Sequence, residues 1–476
     1  MPYRATKNKS VTLDVKEVRD AAAKKGLHSF PMFEAALLEY SNHPTIPKKV
    51  WNGTHVERNR AMEVALFLGK SHYTELEPSL SPDVRFPEFL NWNKHSATPG
   101  ALLNAEYGIV PFHQRQQELD DLKTWCSAEE QISVRLYTGA GGMGKTRLAI
   151  EQCQRLSRNK KEMWKTGFLQ TNENTNDRNR FDWLISGKSP IFLVIDYAET
   201  RRIDIVAFLR TALRAKVKIR LMLLARTAAD WWNILKTENQ GVGDLLMSSA
   251  TRWISLSPMF KNQQAREDSW LKAADSFAKK LGRPLPLMPP DNIKDQHFES
   301  VLILHMQALL DVECEKSGQS QNSVLEVILN RERRFWERKL AAKNLPYMYH
   351  QAISLAMARI TLVGGVKKKQ DVENLWKDIP ALEDSKRYER MALTELLHEI
   401  YPSIPSNDEE SMHYVAPLQP DLLGEYLLLK ELERDNDLAS DFVYQKNPRI
   451  SGIPEYRLRE ACMSYKLNHE STVDCR

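Results

Sequence analysis

The chain is short of cysteine, of long apolar runs and of net charge, and each shortage removes a class of protein. Its five cysteines (Cys126, Cys153, Cys314, Cys462 and Cys475) are odd in number, scattered and without C-x-x-C spacing. That excludes a disulfide framework or a thiolate zinc site and fits a reducing cytoplasm. No apolar run approaches the roughly 18 residues of a membrane span, so no membrane partner is expected. The opening MPYRATKNKS is polar and basic with no apolar core behind it, unlike a signal peptide, and a cytoplasmic location is expected. A formal charge of +5 over 476 residues permits a local basic face but not a protein coated in nucleic acid. No internal repeat of about 20–50 residues occurs, which argues against a solenoid. What remains, with 42% hydrophobic and 27% charged residues, is the composition of soluble globular domains. The length leaves room for about three.

The most informative stretch is VRLYTGAGGMGKTRL, Val134–Leu148. A short apolar run leads into Gly139-Ala140-Gly141-Gly142-Met143-Gly144-Lys145-Thr146, which satisfies G-x-x-x-x-G-K-[ST], and RLAIEQCQRL behind it has helical spacing. Strand, glycine-rich loop and helix in that order make an anion site. Glycines let backbone N–H groups curl around phosphate oxygens, and the helix N-terminus adds partial positive charge. Lys145 would reach the β- and γ-phosphates and the Thr146 hydroxyl would ligate Mg²⁺. The pattern implies binding of a nucleoside triphosphate, ATP or ADP, with Mg²⁺.

Two further strands complete the expected site. Ile191–Ile195 is a continuous apolar run, as for a central strand buried on both faces, and it ends in Asp196. A carboxylate at that strand end can hold Mg²⁺, often through water. Many fast ATPases place glutamate directly after this aspartate; here the position is Tyr197 and the nearest carboxylate is Glu199. Glu199 is either a water-positioning group or a salt-bridge partner of Arg201 or Arg202. The run VKIRLMLLART ends in Arg226, where a basic side chain can sense the γ-phosphate from the neighbouring strand. Trp231 and Trp232 just beyond read as packing. Ahead of the loop a helix begins near Gln114, with Arg115 as a phosphate or hinge contact, or an ordinary surface arginine.

The N-terminal segment, residues 10–77, reads as four or five short helices. VKEVRDAAAKKG closes at Gly26, and Phe30–Tyr40 sets Phe33, Ala36, Leu37 and Tyr40 on one face. Thr45 is the expected cap of a third helix, with Pro47 in its first turn and Gly53 as its stop. The order resembles the phage-repressor (Xre-type) helix-turn-helix on Trp51-Asn52-Gly53, Leu68-Gly69 and Glu75-Leu76. That resemblance makes Thr45–Trp51 the recognition helix and implies that Thr45, Lys48, Lys49 and His55 face double-stranded DNA. Residues 1–77 carry 12 Lys/Arg against 9 Asp/Glu, a net of +3, modest for a DNA reader. The alternative is a helical protein-interaction domain. Residues 78–101, with Pro78, Pro82, Pro87 and Pro99, read as an extended linker.

From residue 102 to about 430 the phrases LLNAEYGIVPF, RLYTGAGGMGKTRLAIEQC, FLVIDYAETR, LMLLARTAADWW and APLQPDLLGEYLL resemble a bacterial branch of the STAND class, the signal-transduction ATPases that include NACHT and NB-ARC proteins. The resemblance implies an α/β P-loop core with a parallel sheet (102–258), an α-helical lid (259–345) and a winged-helix-like region (346–430), ahead of a short tail (431–476). It implies a nucleotide-contacting set of Gly139 through Arg147, joined by Arg115 and by His413 of an incomplete Met-His-Asp motif in which Tyr414 replaces the aspartate. In the lid, Pro286, Leu302 and His305 fall where such proteins contact the base, while Arg331–Arg334 reads as a solvated basic face. Members of this class usually continue into ligand-sensing repeats. Here about 45 residues follow Leu429, so a minimal member, or a signal arriving through a partner protein, is expected.

The function implied is an ATP/ADP-controlled switch with slow hydrolysis, oligomerising in the ATP state and coupling nucleotide to DNA binding, in transcription regulation or phage defence. The rival expectations are a DNA- or protein-remodelling motor and a non-DNA-binding antiviral scaffold.

Overall fold

The runs ISVRLYT, IFLVI and IRLMLLA become central strands because every residue in them is buried. The computed structural model describes residues 10–11, 15–41, 43–52, 56–70, 84–87, 89, 98–159, 164–170, 181, 189–237, 240–260, 262–286, 288–314, 320–402 and 413–434. Its strands in chain order are β1 (Ser10–Val11), β2 (Val56–Glu57), β3 (Val84–Arg85), β4 (Ile132–Thr138), β5 (Lys165–Leu169), β6 (Ile191–Ile195), β7 (Ile219–Ala225) and β8 (Thr251–Ser255).

Six strands form one sheet in the order β3-β5-β6-β7-β4-β8. All neighbours run parallel except β3, which pairs antiparallel with β5. β7 therefore separates the strand that precedes the glycine loop from the strand that ends in Asp196. Thr138 of β4 is level with Ala225 of β7, and Ile195 of β6 with Leu223, so all three strands deliver their next residues to one edge of the sheet. That carboxyl edge is where ligands of parallel sheets bind. The segment read as a linker supplies β3: Val84 is 3% exposed, and the Gln154 side chain donates to the Pro87 carbonyl. Two residues among prolines carry too little pattern to announce a strand.

Helices Gln116–Ser127, Lys145–Arg158 and Arg202–Ala212 flank the sheet. Arg220 and Arg135 are buried within it. The Arg135 guanidinium stacks 4.7 Å from the Trp125 ring centre and pairs with Asp121.

The residues after about 260 build a second hydrophobic core from helices Gln263–Leu281, Val301–Val312, Gln321–Ala342, Tyr349–Val363, Arg387–Ile400 and Asp421–Arg434. Lid and C-terminal region share this one core, so the expected boundary at 345/346 does not separate two cores. Glu332 is buried where the Gly100 N–H (2.5 Å) and the Tyr401 hydroxyl (3.1 Å) donate to it. Burial pushes its carboxyl up to about 7. In the region read as winged-helix-like, the described residues show one isolated antiparallel bridge, Val366–Val415.

At the N-terminus four helices, Val15–Lys24, Phe30–Ser41, Ile46–Trp51 and Arg58–Phe67, close over Val18, Phe33, Leu37, Val50 and Val64. An unexpected two-residue antiparallel pair, β1 with β2, ties the segment's start to its fourth helix. Two expectations are corrected here. Tyr40 is 55% exposed, off the buried face, with its ring 5.4 Å from that of Phe67. Thr45 makes no side-chain cap, because its backbone is already helical (φ −92, ψ −15). Gly53, Glu75, Leu76 and the proposed DNA contact His55 lie outside the described residues.

Candidate functional site

The glycine loop leaves β4 at Thr138 and turns into the helix that starts at Lys145. It is pinned at its base, where the Gly139 N–H donates to the Arg226 carbonyl at 3.1 Å. Gly142 and Gly144 have φ of +76° and +86°, a left-handed backbone that side chains resist. A Cβ on Gly142 would also stand 2.5 Å from the Ser300 hydroxyl, so that position admits no side chain. The segment read as a lid touches the loop there, with the Leu302 N–H donating to the Gly142 carbonyl at 3.1 Å.

Thr146, in the first turn of the helix, donates its hydroxyl to Asp196 Oδ2 at 2.8 Å. Asp196 Oδ1 accepts from the Tyr197 N–H at 2.9 Å, and Tyr197 takes the left-handed turn (φ +53°) that ends the strand's path. Burial pushes the Asp196 carboxyl up, while Thr146 and the Lys145 charge pull it down. The Lys145 ammonium is folded back onto its own loop, donating to the carbonyls of Gly139 (2.5 Å) and Ala140 (3.0 Å). Burial lowers its pKa, and the nearby carboxylates, Asp196 foremost, oppose that.

Arg226 follows β7. Its backbone N–H donates to Glu199 Oε1 at 3.1 Å, and its guanidinium forms an ion pair with Glu425 of the C-terminal helix. Arg115 is 7% exposed and acts as a strut: it donates to the Met143 carbonyl (3.1 Å), the Ser257 carbonyl (2.7 Å) and Glu118 (2.6 Å). Gln114 and Arg115 both have φ of +56°. Gln114 thus holds a left-handed backbone that favours glycine, and its side chain donates to the Ala265 carbonyl at 2.9 Å. Arg147 lies 4.6 Å from the Phe89 ring centre and 5.6 Å from that of Phe112. His413 packs on Gly365, where a Cβ would meet its ring at 2.7 Å. Tyr414, in the place of the motif's aspartate, stacks on His398 at 4.1 Å.

One cavity of about 940 Å³ collects these groups: Gly141 to Arg147, Asp196, Glu199, Arg226, Arg115 and His413 all line it. Gly139 and Ala140 do not line it; they act through the carbonyls that hold Lys145. Leu302 and His305 line it as well, with Ile109, Val110 and Phe112 on the apolar side; Pro286 does not. Burial pushes the His305 imidazole down to about 3, so it is neutral at physiological pH. Trp232 is buried, and the Trp231 indole donates to the Thr227 carbonyl, as packing residues do. Lys48 and Lys49 are exposed on the third helix of the N-terminal segment and Thr45 just before it, and none of them lines this cavity. Sequence reasoning missed the C-terminal wall of the cavity, Asp421 and Leu422, with Glu425 one turn on. The only trace of it is the i, i+4 spacing of the two acids in PDLLGE.

The sheet order, the glycine loop and the hydroxyl–carboxylate contact together describe a P-loop α/β core. No protein-family model and no curated protein matches the chain. Solved structures do resemble it at low identity. A Walker-type ATPase of Pyrococcus abyssi is 12% identical with a TM-score of 0.28, over 66% of this chain and 96% of that one. A signal transduction ATPase with numerous domains (STAND) from Pyrococcus horikoshii, carrying a tetratricopeptide repeat sensor, is 12% identical with a TM-score of 0.32; the likeness covers 74% of this chain and 48% of that protein. Cdc6p of Pyrobaculum aerophilum is 11% identical with a TM-score of 0.30, over 70% and 98% of the two chains. Among the described residues no helix is long and apolar enough to cross a membrane.

Proposed function

We propose that this protein is an ATP/ADP-controlled switch of the STAND type, in which nucleotide state governs DNA binding by the N-terminal helices. The observation that carries the nucleotide half is the 2.8 Å bond between Thr146 and Asp196, which joins the glycine loop to the strand-end carboxylate. A hydroxyl and a carboxylate oxygen side by side suit a hard cation such as Mg²⁺. Among the described residues no group of three or more His, Cys, Asp or Glu is placed to hold a metal ion, so phosphate oxygens and water would supply the remaining ligands. Bound there, the cation would neutralise phosphate charge. Thr146 and Asp196 would hold it, Lys145 would meet the phosphates, and Gly142 and Gly144, having no side chains, would leave the loop's N–H groups open to phosphate oxygens.

The switch requires only that ATP and ADP differ in affinity for two conformations, with slow hydrolysis resetting the state. What supports a conformational readout is the way the lid and the C-terminal helix reach the site, at Gly142 and Arg226 respectively. Assembly of the ATP form into a homo-oligomer, and a partner protein that delivers the signal, belong to this reading.

For the DNA half, the support is the exposure of Lys48 and Lys49 on one short helix and of Thr45 at its start. Exchanging both lysines for alanine is expected to weaken duplex binding by at least about tenfold near 100 mM salt and to flatten its salt dependence, since two phosphate contacts are lost. Gel-shift titration with ADP and with a slowly hydrolysed ATP analogue checks both halves at once. Failure to bind any duplex in either state would make the segment a protein adaptor, as in the scaffold reading. The motor reading draws on Glu199, which lines the cavity within reach of Arg226. It requires DNA-stimulated turnover of about 1 s⁻¹ or more.

A further inference from the structure

The helix Asp421–Arg434 starts at the wall of the nucleotide cavity. Asp421 and Glu425 are four apart, so they lie on one helical face a turn from each other. Glu425 pairs with Arg226, across 199 residues of sequence. Asp421 lines the cavity, and its charge acts on Lys145. Between them Leu422 reaches the loop, 3.9 Å from where a Cβ on Gly141 would stand. Of the two cations that a triphosphate would engage, Arg226 thus pairs with one acid of this helix, and Lys145 shares the cavity wall with the other.

That helix is not free to move alone. Leu423, Leu427 and Leu428 belong to the core that holds the lid. Gly424 lies so close to its neighbours that a Cβ would meet Thr361 at 2.7 Å and the Leu418 carbonyl at 2.8 Å. Whatever dislodges the acids therefore shifts the whole C-terminal lobe.

We propose that Asp421 and Glu425 are the residues by which this protein tells a nucleoside triphosphate from a diphosphate: the acids stand in for the terminal phosphate, and its arrival displaces the helix. The proposal rests on the reading of the cavity as a nucleotide site. A diphosphate on the glycine loop leaves Arg226 to Glu425. A third phosphate competes for Arg226 and sets its own negative charge against both carboxylates. The pair thereby biases the resting protein toward ADP, and the cost of breaking it is the free energy that couples nucleotide to the lobe.

The test is to measure dissociation constants of Mg·ADP and of Mg·ATPγS for the full chain, as wild type, Glu425→Gln, Asp421→Asn and the double variant. Glu425→Gln is expected to tighten ATPγS binding about tenfold relative to ADP, a usual size for coupling between two sites. The double variant is expected to exceed it. An unchanged ratio of the two constants in Glu425→Gln, or equal tightening of both nucleotides, overturns the proposal while leaving the nucleotide site intact. A wild type that binds neither nucleotide overturns the site reading and this proposal with it. Should Glu425→Gln not fold, Asp421→Asn answers alone, because it must move the same ratio in the same direction.

Discussion

Lys145→Ala is expected to weaken both Mg·ATP and Mg·ADP binding by about a hundredfold or more. The ammonium emerges at the first residue of its helix, is half-buried, and among the described residues donates to the carbonyls of Gly139 and Ala140. In such a place a charge interacts with phosphate far more strongly than it does in water. Truncating one member of a desolvated charged pair costs about 2–5 kcal/mol, and 2.7 kcal/mol is about a hundredfold in affinity. Alanine is a good helix former, so the loop and its helix should persist, and the loss should appear in binding without a comparable loss of stability. Titration calorimetry with wild type and variant checks it. A variant that binds ATP as tightly as the wild type would remove the basis of the nucleotide reading.

The second large effect concerns folding. Arg220→Met is expected to destabilise the nucleotide core by about 4 kcal/mol. Arg220 is wholly buried in β7, yet its partners are carbonyls: Trp125 (2.8 Å), Ala128 (2.7 Å), Glu130 (2.8 Å) and its neighbour Ile219 (3.0 Å). Those first three carbonyls end the helix Gln116–Ser127 and the turn behind it, and helix C-termini leave such groups without intrahelical partners. The guanidinium satisfies them and sits at the negative end of the helix dipole. Methionine fills much of the volume but takes the donor from the Ala128 and Glu130 carbonyls and leaves Trp125 the longer 3.3 Å bond from the Ala128 N–H, each lost partner costing about 1–3 kcal/mol unless water enters. Urea unfolding should show a lower midpoint with little change in slope. A midpoint within the error of the wild type would mean that the turn finds other donors.

The parts of this molecule that could be read from sequence are those whose chemistry is local. The glycine loop needs its lysine, threonine and positive-φ glycines in consecutive positions. Strands β6 and β7 are buried on both faces and so show as unbroken apolar runs, with Asp196 and Arg226 directly after them. The helices Lys145–Arg158 and Gln263–Leu281 announce themselves by spacing, the second ending at Gly282 with φ +64°. What could not be read depends on distant parts of the chain. β3 is two residues long and is a strand only because Phe168 and Leu169 lie beside it. Tyr40 occupies a periodic position, but the small N-terminal core is already filled by Phe33, Leu37 and Val64, and the ring is left on the rim with Phe67. Arg115 reads from sequence as a phosphate or hinge contact, or as a surface arginine; the fold buries it as a strut under Met143, with two carbonyl partners and one carboxylate that sequence spacing does not reveal. The same holds for Glu425, which is an ordinary helical glutamate until the fold carries it to Arg226.

The measurement that tests the central claim most directly is hydrogen–deuterium exchange of the full chain with saturating Mg·ADP and, in parallel, with a slowly hydrolysed ATP analogue. Loss of a hydrogen bond or of a packed contact appears as faster amide exchange. The account predicts that Leu302, whose N–H donates to Gly142, and the first turn of the helix Asp421–Arg434 keep their protection with ADP and lose it with the triphosphate, while the loop helix Lys145–Arg158 is protected by both. Identical protection of these contacts in the two nucleotides would contradict a switch worked by the third phosphate.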